Sequence, residues 1–154
     1  MKPSRSAGRG FTITEVMVAL AVLVILSGVA IPSFHDIFLA QAVKSASFEV
    51  WSDLVLARSE AVTRNTTVSL VPTGGSWSAG WTLIDFSGEV VRRQDRLPRV
   101  VITGPSRVTY NGAGRASTGG ASFNLVANGG RNPHPSCISI DLSGRPVQRQ
   151  EPCL

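Results

Sequence analysis

The chain has 154 residues, 43% of them hydrophobic, and its 15 Lys and Arg against 10 Asp and Glu give a formal charge of +5. That length suits one membrane-anchored helix and one small globular domain and excludes a second domain. Two cysteines and two histidines, His35 and His134, lack metal-ligand spacing. No nucleophile–base pair, phosphate loop or pair of acids at useful spacing marks an enzyme, and no cofactor is expected.

The basic residues Lys2, Arg5 and Arg9 lead into an apolar run from Gly10 to Pro32, and no Asp, Glu, Lys or Arg occurs between Glu15 and Asp36. Without the first ten residues the side-chain charge falls to +2, so part of the basicity belongs to this leader. A helix of that length spans a bilayer. A carboxylate within it costs about 2.5–3.5 kcal/mol on insertion scales, so Glu15 calls for a partner. Three readings compete: a secretory signal cut after Ala30, an uncleaved anchor, and, by the resemblance given below, a leader cut after Gly10. The first two leave Glu15 unexplained. In the third, cutting creates an amine at Phe11, which is the natural counter-charge for Glu15 in a low dielectric. Ser27, Gly28 and Pro32 weaken helix propensity in the middle of the run.

From Ser33 to about Asn65 the pattern stays helical but becomes amphipathic. Val43, Ala46, Val50, Leu54, Ala57 and Ala61 recur at spacings of three and four, with Trp51, Val55 and Val62 widening the stripe. One helix from Phe11 to about Arg64 is the simplest reading. Beyond it, runs at 67–72, 81–86, 89–93, 99–103, 107–110, 122–127, 137–142 and 146–150 read as strands, separated by Gly, Asn and Ser turn signals. A helix followed by an antiparallel sheet is an α+β pattern, with the helix stripe covering one sheet face. The segment 129–136 reads as a loop, with His134 solvated. Cys137 and Cys153 read as one disulfide in an exported domain, against the alternative of two free thiols in a cytosolic one.

The last third is rich in arginine, with nine Arg from residue 92 onward against Asp95, Asp141 and Glu151. Arg92, Arg93, Arg96 and Arg99 form one group. Arg145 and Arg149 fall on one face of the final strand by period two. Arginine matches phosphate geometry, and such a surface is the electrostatic footprint of nucleic-acid binding. The bland alternative is a solubilising surface in a chain that prefers Arg, since only Lys44 follows the leader.

Gly10 before an aromatic, Glu15 five residues later and the basic leader resemble the N-terminus of type IV prepilins and type II secretion pseudopilins. The string LARSEAVTRN, Leu56 to Asn65, resembles the helix end of the GspH/FimT branch, and GWTLIDF from Gly80 and ISIDLSGR from Ile138 resemble its exported domain. The resemblance implies a pilin-like fold, with a long N-terminal helix packed on an antiparallel β-sheet domain. It implies a leader 1–10 removed by prepilin peptidase, a transmembrane and filament-core helix 11–34, an amphipathic helix 35–65 and an exported domain 66–154. It implies N-methylation at Phe11 and an assembly role for Glu15, facing the amine of a neighbouring subunit. The implied function is a minor pilin of a type IV pilus, with a minor pseudopilin of a type II secretion system as the alternative. Implied partners are other major and minor pilins or pseudopilins, prepilin peptidase and inner-membrane lipid. The N-terminus is cytoplasmic and the C-terminal domain periplasmic until filament entry. DNA-binding members of the branch carry Gly-Arg-x-Arg near the C-terminus. Gly144 and Arg145 match it, Val147 stands where the second arginine would be, and Arg149 lies one strand repeat later, which brings duplex DNA in as a further partner.

Overall fold

The computed structural model describes residues 10–117, 120–129 and 134–153, with 29–33 by backbone alone. Most of the expected leader therefore lies outside the described residues. Helix α1 runs Ile13–Arg64, two residues later in its start than the apolar pattern suggests. The chain forms two compact units, Met1–His35 and Asp36–Leu154.

In the first unit the helix begins on a cap. The Glu15 amide donates to Thr12 Oγ1 at 3.3 Å and the Val16 amide to the Thr12 carbonyl at 3.2 Å. Thr12 is the N-cap and Glu15 the third helical residue, the T-x-x-E spacing of a capping box. Ser27, read as a helix-weakening residue, returns its hydroxyl to the Leu23 carbonyl at 2.7 Å, the back-bond that lets serine sit inside a helix. Phe11, Ile13 and the apolar side chains from Val16 to Leu26 are largely solvent-exposed. Among the described residues no helix is long and apolar enough to cross a membrane.

The second unit holds the core. Leu39, Val43, Ala46, Val50, Leu54, Ala57 and Ala61 form one buried stripe of α1. Trp51 is half-buried, while Val55 and Val62 are exposed, so the buried face is narrower than the sequence pattern indicated. The helix ends at Arg64 because Asn65 turns left-handed, with φ 48°. The Asn65 amide then bonds the Val62 carbonyl and the Thr66 amide the Ala61 carbonyl. Those two reversed bonds form a Schellman stop.

Eight strands follow: β1 Val68–Pro72, β2 Trp81–Asp85, β3 Val90–Gln94, β4 Val100–Thr103, β5 Val108–Tyr110, β6 Ser122–Ala127, β7 Ser136–Ile140 and β8 Pro146–Arg149. Each falls on an expected strand to within a residue or two. They build two antiparallel sheets rather than one, in the orders β3-β2-β1-β5 and β4-β6-β7-β8. Buried and half-buried residues alternate along β1 and β2, the period-two signature of a strand with one face in the core. Val68, Leu70, Leu83 and Val108 of the first sheet and Ile102, Phe123, Leu125 and Ile138 of the second join the helix stripe in one core.

Two short 3-10 turns, Thr73–Gly75 and Trp77–Ala79, connect β1 to β2. The second ties the sheets together. Trp77 stacks edge-on against Phe123 at 4.7 Å and donates its indole N–H to the Pro105 carbonyl at 2.7 Å. Ser78 Oγ accepts the Ile102 amide at 2.9 Å at the free edge of β4.

Cys137 on β7 is bonded to Cys153 in the tail beyond β8. Closing a loop of that size contributes about 3 kcal/mol in the chain-entropy model. Replacing both cysteines by Ser is expected to lower unfolding free energy by about 2–5 kcal/mol in denaturant titrations. Alkylation of two free thiols in unreduced, denatured protein is the result that would refute the bond.

Candidate functional site

The sequence places function at two ends: the capped N-terminus around Glu15, and the arginine-rich strands. At the first, Gly10 and Phe11 precede the helix and are exposed, and Glu15 lies in its first turn. A carboxylate there also complements the positive end of the helix dipole. The sequence reading assigned Glu15 to assembly; in the cap it is the Glu15 backbone amide, not its carboxylate, that bonds Thr12.

The expected arginine group at 92–99 does not act as one surface. Arg92 turns toward the helix. Its Nε lies 2.9 Å from Asp53 Oδ1 and its Nη2 3.2 Å from Glu49 Oε2. Asp53 is buried, and its other oxygen accepts the indole N–H of Trp81 at 2.7 Å. The Arg92 contact to Oδ1 is a charge contact without hydrogen-bond alignment. Burial pushes the Asp53 carboxyl up from its ordinary range; Trp81 and then Arg92 pull it back, and Glu49 adds to the rise. Arg92 is thus committed to joining β3 to α1. Arg93, Arg96 and Arg99 have no carboxylate partner among the described residues.

Arg145 immediately precedes β8 and Arg149 ends it, on the edge of the other sheet, with side chains 71% and 64% exposed. Each has a weak local partner, Asp141 at 3.7 Å and Glu151 at 3.6 Å. Exposed pairs at such distances contribute little and leave the guanidinium available. Arg145 is set by its turn. The Asp141 carboxylate accepts the Arg145 amide at 2.9 Å and the Ser143 hydroxyl at 2.6 Å, and Gly144 is left-handed with φ 83°. The Ser143 hydroxyl, chiefly, and the Arg145 amide hold the Asp141 carboxyl below its usual range.

His134, expected to be solvated, is half-buried. Its Nε2 is enclosed without a partner among the described residues, beside a cavity of about 260 Å³ lined by Lys44, Ser136 and Gln148. Loop composition alone does not signal this burial.

A family model described as type II transport protein GspH matches residues 49–144, and one for the prokaryotic N-terminal methylation motif matches residues 5–31. The chain belongs to the GspH family. It is a pilin-like filament protein, a minor pilin or pseudopilin that assembles with others of its kind. Two crystal forms of the type IV minor pilin FimU of Pseudomonas aeruginosa share its fold. One gives 22% identity and TM-score 0.59 over 71% of this chain and 88% of that one. The other gives 23% and 0.60 over 69% and 91%. No curated relative matches. Within this family fold, the match from residue 49 begins on the helix at Glu49 and takes in Asp53, Trp81 and Arg92, the residues that join helix to sheet.

Asp53→Ala is expected to destabilise the protein by about 1–3 kcal/mol, because it orphans the buried Trp81 N–H. Asp53→Asn keeps an acceptor and is expected to cost less. Equal losses for the two variants in thermal or denaturant unfolding would show that the charge, not the indole bond, carries the interaction.

Proposed function

We propose that the chain is a minor pilin of a type IV pilus, cut after Gly10 by prepilin peptidase and N-methylated at Phe11. Residues 11–34 hold it in the inner membrane, N-terminus inward, until it enters the filament, and residues 66–154 form the exported domain. The single observation that carries this is the methylation-motif match over 5–31 preceding a GspH match over 49–144. The role is structural and not enzymatic.

Physical chemistry supplies the part played by Glu15. Once Phe11 is the terminus, its amine lies one residue before the Thr12 cap, near a carboxylate that needs neutralisation in lipid. Pairing with the amine of a neighbouring subunit neutralises both charges and sets axial register. The exposed apolar side chains from Val16 to Leu26 support burial in lipid first and among other helices later.

A second reading, a minor pseudopilin of a type II secretion system, is favoured by the description of the matching family. The FimU fold favours the pilus. Deleting the chain separates them: loss of surface pili with secretion intact supports the pilus, and the reverse supports the secretion filament. Exposed Arg145 and Arg149 support a further capacity, binding duplex DNA at the filament surface.

Mass spectrometry of membrane-extracted protein is expected to find an N-methylated chain beginning at Phe11; a start at Ile31 would mean ordinary signal peptidase. Glu15→Val is expected to insert in the membrane slightly better yet fail to assemble. Glu15→Gln, which keeps a capping-box side chain and removes the charge, is expected to fail equally. Normal assembly by Glu15→Gln would show that the charge of Glu15 is not the assembly determinant.

A further inference from the structure

One tight turn occurs three times in the second unit, at Asp85–Glu89, Asn111–Arg115 and Asp141–Arg145. In each, the first residue's amide bonds the fifth residue's carbonyl, and the fourth residue's amide bonds the first residue's carbonyl. The first side chain accepts the fifth amide each time, at 3.0, 3.0 and 2.9 Å, and the fourth residue is a left-handed glycine. These bonds place no demand on the second residue, which is Phe86, Gly112 and Leu142 in turn. Yet Phe86 and Leu142, 72% and 83% exposed, are the most exposed large apolar side chains of this unit among the described residues. Turn positions of this kind favour Gly, Asn, Asp or Ser. A lone exposed apolar residue needs no explanation; the same turn position filled twice, at one end of the unit, does.

The turns share that end. Val68 of β1 pairs with both Asp85 and Tyr110, so the first two turns leave the same end of one sheet, about 10 Å apart. A Cβ on Gly144 would collide with the Gly114 carbonyl, which docks the third turn on the second. Helix α1 finishes among them. Arg64 Nη1 lies 3.7 Å from Asp85 Oδ2, and a Cβ on Gly114 would lie 3.0 Å from Val62 Cγ2. Val62, itself 50% exposed, therefore stands between the Phe86 and Leu142 turns. The charges around these three side chains are mixed: Arg64 is held by Glu60 and Asp85, and Glu89 and Arg115 are exposed. Apolar side chains within a polar rim are the composition of a protein–protein contact.

Open filaments are built by head-to-tail contacts, in which one surface of a subunit meets a different surface of the next. An apolar end is one half of such a contact, and the opposite end of this chain does not supply the other half. The connections there are 73–80, 95–99 and 128–129. A Cβ on Gly80 would lie 3.0 Å from the Asp95 backbone, and the Asn128 amide donates to the Arg99 carbonyl at 2.8 Å, which draws the three together. Among the described residues they expose no large apolar side chain. They do expose Arg96 and Arg99, which have no carboxylate partner among the described residues. Setting the apolar tips of a second copy on those guanidinium groups would strip their water without compensation.

We propose that Phe86, Val62 and Leu142 form a docking surface for the exported domain of a different pilin subunit, one that presents an apolar face to them. The proposal rests on the filament reading above and names one of its contacts. A second copy of this chain is the wrong partner, so the surface joins this subunit to another kind and does not stack it on itself.

The test places the photo-crosslinking residue p-benzoylphenylalanine at 86 or at 142 of the full chain in cells, followed by mass spectrometry of adducts in sheared pili. Both positions are expected to give an adduct with the exported domain of a pilin other than this chain. Phe86→Asp with Leu142→Asp is expected to lower recovery of the chain in pili about tenfold or more, with its level in the membrane unchanged. Phe86→Leu, which keeps the tip apolar, is expected to assemble as the parent does. Thermal unfolding of the double variant at the parent's midpoint separates lost docking from lost folding. Adducts only with a second copy of this chain would overturn the choice of partner. Absence of adducts from both positions, or full recovery of the double variant, with the parent chain present in pili, would overturn the surface alone. Absence of the parent chain from pili and secretion filaments alike would overturn the filament reading and the surface with it.

Discussion

The structure depends on one narrow helix face covering two sheets at once. The stripe from Leu39 to Ala61 alternates large residues with alanines at 46, 57 and 61. Small side chains there let both sheets approach the helix, and Val43, Val50 and Leu54 fill the space between them. Burying an aliphatic side chain of that size contributes about 1.5–3 kcal/mol. Each tryptophan of the second unit adds a directional tie to this apolar contact. Trp51 donates to the Pro146 carbonyl at 3.3 Å, Trp77 to Pro105 and Trp81 to Asp53. Their N–H groups fasten β8, the segment after β4, and β2 to elements distant in sequence, so helix and sheets behave as one unit.

Asp53 shows how that unit handles charge. A carboxylate facing a buried tryptophan is costly unless bonded, and the structure meets the cost with an indole N–H and an arginine from an edge strand. The same arrangement gives Arg92, which stays exposed, two carboxylate partners on the helix. Electrostatics on this domain is therefore divided: Arg92 is paired with two helix carboxylates, while Arg93, Arg96 and Arg99 have no carboxylate partner among the described residues and Arg145 and Arg149 keep only weak local ones. A count of arginines in the last third of the sequence does not reveal that division.

Much of the fold was legible in the sequence. Hydrophobic period three to four, an Asn stop at 65 and the Gly-Ser-Asn turn signals place α1 and all eight strands. Partition into two sheets was not legible, because alternation identifies an inward face without saying which neighbour a strand pairs with. The docking of two turns was hidden for a similar reason: Gly114 and Gly144 lie thirty positions apart, and only the fold brings Gly144 against the Gly114 carbonyl. The repeated turn was present as D-F-S-G-E, N-G-A-G-R and D-L-S-G-R and is the signal that points to it. Glu15, by contrast, stands out in sequence because it is an acid in an apolar run, yet the bond from its amide to the Thr12 N-cap emerges only in the structure.

In the second unit a sheet domain packs on the helix from Leu39 onward, and in the first unit the helix exposes its apolar side chains from Val16 to Leu26. An exposed apolar segment of that kind needs lipid or other helices around it, which is what a filament subunit finds in turn. The most direct measurement is quantitative mass spectrometry of pili sheared from the cell surface, compared with the remaining cell envelope. The account predicts the chain in the pilus fraction, at low abundance relative to the major subunit. Its recovery only with the envelope, while pili are shed in normal amounts, would contradict it.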